Sequence, residues 1–216
     1  MKARYKKTEQ IREKLLDTAE LLFAQRGFFG VSIRDITQEA GVRSASINYH
    51  FDNKQNLFME VIDRRVEDLA CARLEALRAV NLKDDDIDKT VNEIVQAFVK
   101  PIIYFATEGG AGWKNYCVLI AHLGVQKIWV DNTVSVKYDT HALEFIEALR
   151  KVFPDAGEYQ IQCCFQFLLS TTLYAVCDNM RIDTLSNGKF KSKDLNEMAG
   201  PLFKFVVNGI LGAVET

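Results

Sequence analysis

An all-α fold of about nine helices is what this sequence predicts, and three observations predict it. Apolar residues recur three and four positions apart along most of the chain, the spacing that gathers them on one face of a helix. Alternation of apolar and polar residues never persists beyond a few positions, so no strand pattern competes. Capping residues, and glycine or proline stops, bracket the periodic stretches. Their order gives an N-terminal head of three helices followed by a C-terminal helical bundle. With 216 residues the chain can hold one large or two small domains around a real core.

Met1 to Lys7 reads as a frayed basic arm. A first helix, capped by Thr8 or a neighbour, carries Ile11, Leu15, Ala19, Leu22 and Phe23 on one stripe and stops at Gly27. Phe28 and Phe29 cross over toward the next element. Ser32 is a good N-cap, because its hydroxyl can accept from an orphan amide. Ile33, Ile36 and Ala40 follow at helical spacing, and Gly41 closes the short helix in the left-handed conformation glycine tolerates. Val42 is an apolar plug. Arg43 or Ser44 opens a second short helix through His50, with Ile47 and Phe51 facing inward. Two short helices sharing an apolar seam across a tight glycine turn describe a helix-turn-helix. The second leaves Ser44, Ala45, Ser46, Asn48 and His50 free, all small or hydrogen-bonding and none acidic.

Asp52 or Asn53 caps a long fourth helix reaching about Val80, with Leu57, Phe58, Val61, Ile62, Leu69 and Leu77 as its stripe. Arg64, Arg65, Glu67, Asp68, Arg73, Glu75 and Arg78 fall on its solvated face. This helix outreaches the small head and links a domain of residues 1–54 to one of residues 55–216. The acids of Lys83 to Asp86 suit the positive end of the next helix, whose Ile87, Val91, Ile94, Val95, Phe98, Ile102 and Phe105 surround an interior Pro101. Gly109 to Gly112 is a flexible connection without the ending of a phosphate loop. Helices then run from Trp113 to about Gln126, from Thr133 to Phe153, from Glu158 to Met180 and from about Lys193 to Val214. A polar turn, Asp183 to Lys191, separates the last two, and Gly200-Pro201 bends the final one.

The basic N-terminus lacks an apolar core of the kind secretory signals have, and Phe165 to Cys177, the most apolar stretch, is broken by Gln166, Ser170, Thr171 and Thr172. No run approaches the roughly 18 apolar residues that a bilayer span needs. Five cysteines, an odd count, fit reduced thiols better than a disulfide framework. A cytoplasmic protein with no membrane partner is expected. Charge is uneven: residues 1–50 carry nine Lys/Arg against six Asp/Glu, and the remainder 18 against 23. A basic head on an acidic body suits a nucleic-acid reader joined to a module with another task.

In the helix-turn-helix stretch, ending in the triplet Tyr49-His50-Phe51 and followed by Asn53-Lys54, the sequence resembles the N-terminal domain of tetracycline-repressor-type (TetR-family) transcription regulators, over roughly residues 8–65. The resemblance implies a major-groove reader of double-stranded DNA. It implies that Arg34 reaches a base or phosphate, that Ser44, Ala45, Ser46 and Asn48 face base edges, and that Tyr49, His50 and Lys54 grip the backbone with Ser32. Two departures bear on the operator sequence: Arg43 stands where the family often has Ser, and Asn48 where it often has an aromatic. Arg43 gives up a capping oxygen and adds a guanidinium able to bond guanine.

The body is richer in aromatic residues than a small bundle needs, and Pro101 can splay a helix beside them. Phe98, Ile102, Phe105, Trp113, Tyr116, Ile120, Phe145, Phe167 and Tyr174 are the candidate walls of a pocket for a small apolar or aromatic effector, with ordinary core packing as the competing reading. That such a pocket exists is chiefly what the resemblance implies. It also implies a homodimer through the last two long helices, whose small residues permit close packing. Two recognition helices would then lie about 34 Å apart on a near-palindromic operator. His122, His141, Cys163, Cys164, Cys177 and Asp178 have no metal-ligand spacing, no cofactor is expected, and no nucleophile elbow, HExxH or paired-carboxylate constellation points to an enzyme. The reading is a ligand-released repressor. An effector-independent architectural or division-linked DNA-binding factor of the same fold is the alternative.

Overall fold

The computed structural model describes residues 2–124 and 135–214, and among them the backbone forms ten helices and no strand. The head comprises α1 (Lys2–Arg26), α2 (Ile33–Glu39) and α3 (Ala45–Phe51). The body comprises α4 (Lys54–Arg78), α5 (Ile87–Glu108), α6 (Ala111–Leu123), α7 (Ser135–Val152), α8 (Glu158–Val176), α9 (Arg181–Leu185) and α10 (Leu195–Val214). One apolar cluster runs without a break from Leu15 in α1 to Ile210 in α10. Within it α4 is the shared wall, touching α1 and α3 on the head side and α5, α6 and α7 on the body side. At about 1.5 Å per residue its 25 residues span roughly 38 Å. α1 also lies directly on α6, so the head is seated on the body as well as tethered to it.

The caps explain most boundaries. Asn53 accepts from the Asn56 amide at 2.8 Å to open α4, and Asp86 accepts from the Lys89 amide at 2.9 Å to open α5. Gly27 and Gly41 take φ of +67° and +61°, the left-handed conformation that ends α1 and reverses the chain after α2. At Gly41 an added Cβ would meet only Lys14 Nζ, at 3.8 Å, so Gly41→Ala costs backbone strain alone. A loss of about 1 kcal/mol in unfolding free energy is expected from that strain and is readable by urea denaturation.

Several boundaries differ from the sequence expectation. α1 is helical from Lys2, with Thr8 inside it, because the expected arm is made of good helix formers and nothing in it stops the helix. The expected helix ends at Gln126 and Thr133 lie outside the described residues. α8 stops at Val176, short of Met180, where Asp178 and Met180 adopt φ of +46° and +55°. The start of the expected polar turn instead falls in α9, and buried Ser192 ties the segment down: its hydroxyl donates to Asp178 Oδ1 at 2.8 Å and its amide to Asp183 Oδ2 at 2.7 Å. Among the described residues one helix, α10, passes a length-and-composition test for a membrane span, which core helices also pass. Leu195, Val206, Val207 and Ile210 bury one side of it against α5 and α8.

Candidate nucleic-acid interface

The helix-turn-helix is held by a reciprocal cap. Ser32 Oγ accepts from the Asp35 amide at 3.1 Å, while Asp35 Oδ2 accepts from the Ser32 amide at 2.7 Å and from its hydroxyl at 2.5 Å. The hydroxyl and amide of Ser32 together hold the Asp35 carboxyl below its usual range. Beneath this cap Ile36, Ala40, Ile47 and Phe51 are buried in the apolar cluster, α2 against α1 and α3, and α3 also against α4, so both short helices are fixed by their inner sides. α3 has no side-chain cap, since Ser44 makes none, which leaves its hydroxyl unspent at the start of the helix.

The sequence-predicted contact residues are placed as follows. Ser32, Arg34, Arg43, Ser44, Ala45, Asn48 and Tyr49 are exposed, while Ser46 and His50 are half-buried. Tyr49 is 76% exposed and meets the His50 ring edge-on at 4.9 Å. Burial holds the His50 imidazole below its usual range, and the nearby Arg12 charge adds to this. At neutral pH it is a neutral hydrogen-bonding group and no cation.

Lys54 differs from the expected phosphate grip. Its ammonium turns inward, donating to the carbonyls of Phe28 at 2.8 Å and Val31 at 2.7 Å and lying 4.0 Å from the centre of the Phe28 ring. Desolvation by burial lowers its pKa. Two of its three protons are therefore spent tying the α1–α2 connection to the start of α4. The sequence shows the charge but not the carbonyls that capture it.

The predicted pocket residues divide sharply. Phe98, Ile102, Trp113, Tyr116, Ile120 and Phe145 are buried and Phe105 half-buried, but they pack on one another. Phe98 meets Phe145 and Phe165 edge-on at 5.0 and 5.6 Å, and Phe105 stacks on Trp113 at 3.8 Å. Phe167 and Tyr174 are not pocket walls: they are 63% and 62% exposed. They sit seven residues apart on the side of α8 opposite its buried stripe of Ile161, Phe165, Leu168, Thr172 and Val176. Two hollows lie elsewhere. One of about 390 Å³ runs between α5 and α10, past Tyr104 and Phe203. The other, of about 320 Å³, lies between α4 and α7, lined by Leu74, Leu77 and Ala148 among others.

Two buried charges were missed. Glu20 is 1% exposed and takes a bidentate grip from Arg65, whose Nε and Nη2 donate at 2.8 and 3.2 Å. Arg73, expected on the solvated face of α4, is instead buried, donating from Nε to the Phe98 carbonyl at 2.8 Å. The spacing held the clue for both: Glu20 follows Leu16 by four, and Arg73 lies four after Leu69 and four before Leu77.

Comparison with known proteins bears on both parts of the chain. Residues 15–61 match the family described as bacterial regulatory proteins, tetR family, and residues 96–209 the family described as tetracyclin repressor-like, C-terminal domain. The transcriptional repressor KstR2 of Rhodococcus jostii is 32% identical over 105 residues, which are 43% of this chain and 52% of KstR2. IcaR of Staphylococcus epidermidis, a negative transcriptional regulator of a biofilm operon, is 30% identical over 53 residues, 24% of this chain and 29% of IcaR. The chain thus spans about half or less of these relatives. Among solved structures, the TetR-family regulator PfmR of Thermus thermophilus aligns over 90% of this chain and 97% of its own, with a TM-score of 0.59 at 17% identity, which speaks for the fold. The helix-turn-helix of the head and the family match across more than half of the chain agree: this protein belongs to the tetracycline-repressor (TetR) family of bacterial, DNA-binding transcription regulators.

Proposed function

We propose that the chain is a homodimeric repressor that binds a near-palindromic operator through α3 and is released by a small apolar or aromatic molecule held in its body. In this reading residues 1–54 are the reader and residues 55–216 the sensor. The observation that carries it is the seating of α1 on α6, pinned by the Glu20–Arg65 pair with the Trp113 ring 5.0 Å from the Arg65 guanidinium. A change in the body that moves α6 or α4 must move α1, and with it the separation of two recognition helices. A ligand favouring one such conformer lowers DNA affinity by its differential binding.

The dimer reading is supported by the outer sides of α8 and α10, where Phe167, Tyr174 and Phe205 are exposed and an added Cβ at Gly209 or Gly212 would meet nothing. A large exposed apolar patch marks an interface. Selection of bound duplexes from a random pool, with the mass of the complex measured in solution, tests the reading. An inverted repeat bound by two chains is expected, and an asymmetric site bound by one chain would overturn it.

The closed aromatic core favours one alternative, DNA binding without an effector. A body whose unfolding temperature ignores every small molecule offered, with no operator release, would select that alternative.

The charge state of the interface gives a further expectation. Arg34→Ala should lower the slope of log affinity against log salt by about one phosphate contact per protomer. His50→Gln at pH 7.5 should leave that slope unchanged, because the imidazole it replaces is already neutral. Fluorescence anisotropy across a salt series reads both.

A further inference from the structure

Arg73 is a charge without a counter-charge. It is 8% exposed, its Nε is spent on the Phe98 carbonyl, its guanidinium carbon lies 3.8 Å from the centre of the Phe98 ring, and its Nη2 has no hydrogen-bond partner. No carboxylate pairs with it among the described residues. The titratable groups around it are the phenols of Tyr116 and Tyr138 and the thiol of Cys117. Burial pushes both phenols up, and the thiol up to about 12, so all three stay neutral at physiological pH. Burial likewise lowers Arg73 itself to about 10, which still leaves it a cation. A buried cation with an orphaned donor and no anion is a costly arrangement that folding alone does not call for.

The two phenols extend the site. Tyr116 Oη and Tyr138 Oη are 2.6 Å apart, so one hydroxyl donates to the other and one proton remains to be given elsewhere. The cluster therefore offers two unspent donors, Arg73 Nη2 and one phenol, with a single positive charge. Space for an apolar portion lies further along α4. The hollow of about 320 Å³ between α4 and α7 is lined by Leu74, Leu77, Leu82 and Ala148, with Arg78 and Glu144, and Leu77 lies one helical turn beyond Arg73. Pro101 removes one backbone hydrogen bond from α5 in the turn after Phe98, so the wall opposite Arg73 yields at low cost.

We infer that Arg73, Tyr116 and Tyr138 form the head-group site for an acidic effector, a small molecule with one anionic end and an apolar remainder directed toward the α4–α7 hollow. This rests on the reading of the body as a sensor and names the chemistry it senses. The acid supplies the missing counter-charge, accepting from Nη2 and from the free phenol proton. Nε is committed to Phe98, so the head is met from the Nη side, where Nη2 is the buried donor without a partner, and a compact singly charged group such as a carboxylate matches the single positive charge there.

The test uses the full-length protein and head-group series on fixed tails: decanoate, decyl phosphate, decanol and decylamine, and 4-phenylbutyrate against 4-phenylbutanol. Titration calorimetry and unfolding temperature read binding, and fluorescence anisotropy reads release from DNA separately. At least one acid should bind about tenfold or more tighter than its alcohol, the amine should bind weakest, and Arg73→Met should abolish the preference for acids. Arg73→Lys should restore part of it, and Tyr116→Phe should weaken acids while sparing alcohols. A carboxylate outranking the phosphate supports the compact head, and the reverse order overturns that part.

If no acid binds, or if acids and alcohols bind alike in wild type and Arg73→Met, the site is overturned and Arg73 serves only the Phe98 carbonyl. Should Arg73→Met fail to fold, Arg73→Lys and Tyr116→Phe still decide through the acid-to-alcohol ratio. Acids that bind selectively without releasing DNA would overturn the sensor reading and leave the anion site standing. Release by neutral molecules with no acid preference would do the opposite.

Discussion

Replacing Glu20 with alanine is expected to lower the unfolding free energy by about 3–5 kcal/mol, the cost of stripping a buried ion pair of one partner. Glu20 is 1% exposed, and Arg65, which grips both of its oxygens, is half-buried beneath α6. Without the carboxylate the Arg65 guanidinium keeps its desolvation penalty and loses its partner. Gly112 in α6 shows how closely this pair is enclosed: an added Cβ there would collide with the Arg65 guanidinium and lie 2.8 Å from Glu20 Oε1. Glu20→Gln should cost less than Glu20→Ala, because the amide oxygen still accepts one of the two Arg65 bonds, but its NH2 faces the other donor and the counter-charge is lost.

The pH dependence separates the two forms further. Burial pushes the Glu20 carboxyl above its usual 4.5 despite the opposing Arg65 hydrogen bond and the Arg65 and Arg64 charges. In the window between 4.5 and the raised folded value, the unfolded chain gives up this proton before the folded chain does. Stability from this group therefore falls as pH rises through that window, and Glu20→Gln lacks that component. Thermal melts of wild type and both variants from pH 4 to 8 check the order. Since the pair joins α1 to α4 beside α6, Glu20→Ala should also loosen the head, visible as faster amide exchange in α1 than in α10.

Tyr49→Ala is expected to weaken operator binding by about a hundredfold while leaving the unfolding midpoint almost unchanged. The side chain is 76% exposed and its ring contact is to neighbouring His50, so its removal opens no cavity. A phenol hydrogen bond to a phosphate is a bond to a charged group, about 1.5 kcal/mol or more, and a two-fold dimer loses it twice, roughly 3 kcal/mol in all. Tyr49→Phe, which keeps the ring, should lose most of this and so assign it to the hydroxyl. A gel-shift titration with circular dichroism on the same samples distinguishes loss of contact from loss of fold. Unchanged affinity in Tyr49→Ala would remove this residue from the interface.

The head was the most legible part of the chain because its structure is decided locally. Ser32 with Asp35, Gly41, and the inward pair Ile47 and Phe51 each act within a few residues of themselves, and a cap or a left-handed turn depends on the adjacent backbone. Lys54 shows where that locality ends. Its two carbonyl partners lie 26 and 23 residues earlier, and no local pattern announces them. In the body, the aromatic residues could be counted but not oriented. Phe165 and Phe167 are two apart on α8, one in the core and the other in solvent, because a helix turns about 200° between them.

By itself, then, the sequence determined the helical class, the helix-turn-helix and the outward placing of Ser44, Ala45 and Asn48, since periodicity and capping are properties of neighbours along the chain. Only the packed helices decided that Arg73 and Glu20 are buried, that Lys54 turns inward, and that the aromatic residues of the body fill it. The environment of a charge is set by the elements that close over it, and Arg65 reaches Glu20 across 45 residues of chain. Solvent is excluded from such groups by tertiary contact, and that exclusion gives an unpaired guanidinium its chemistry.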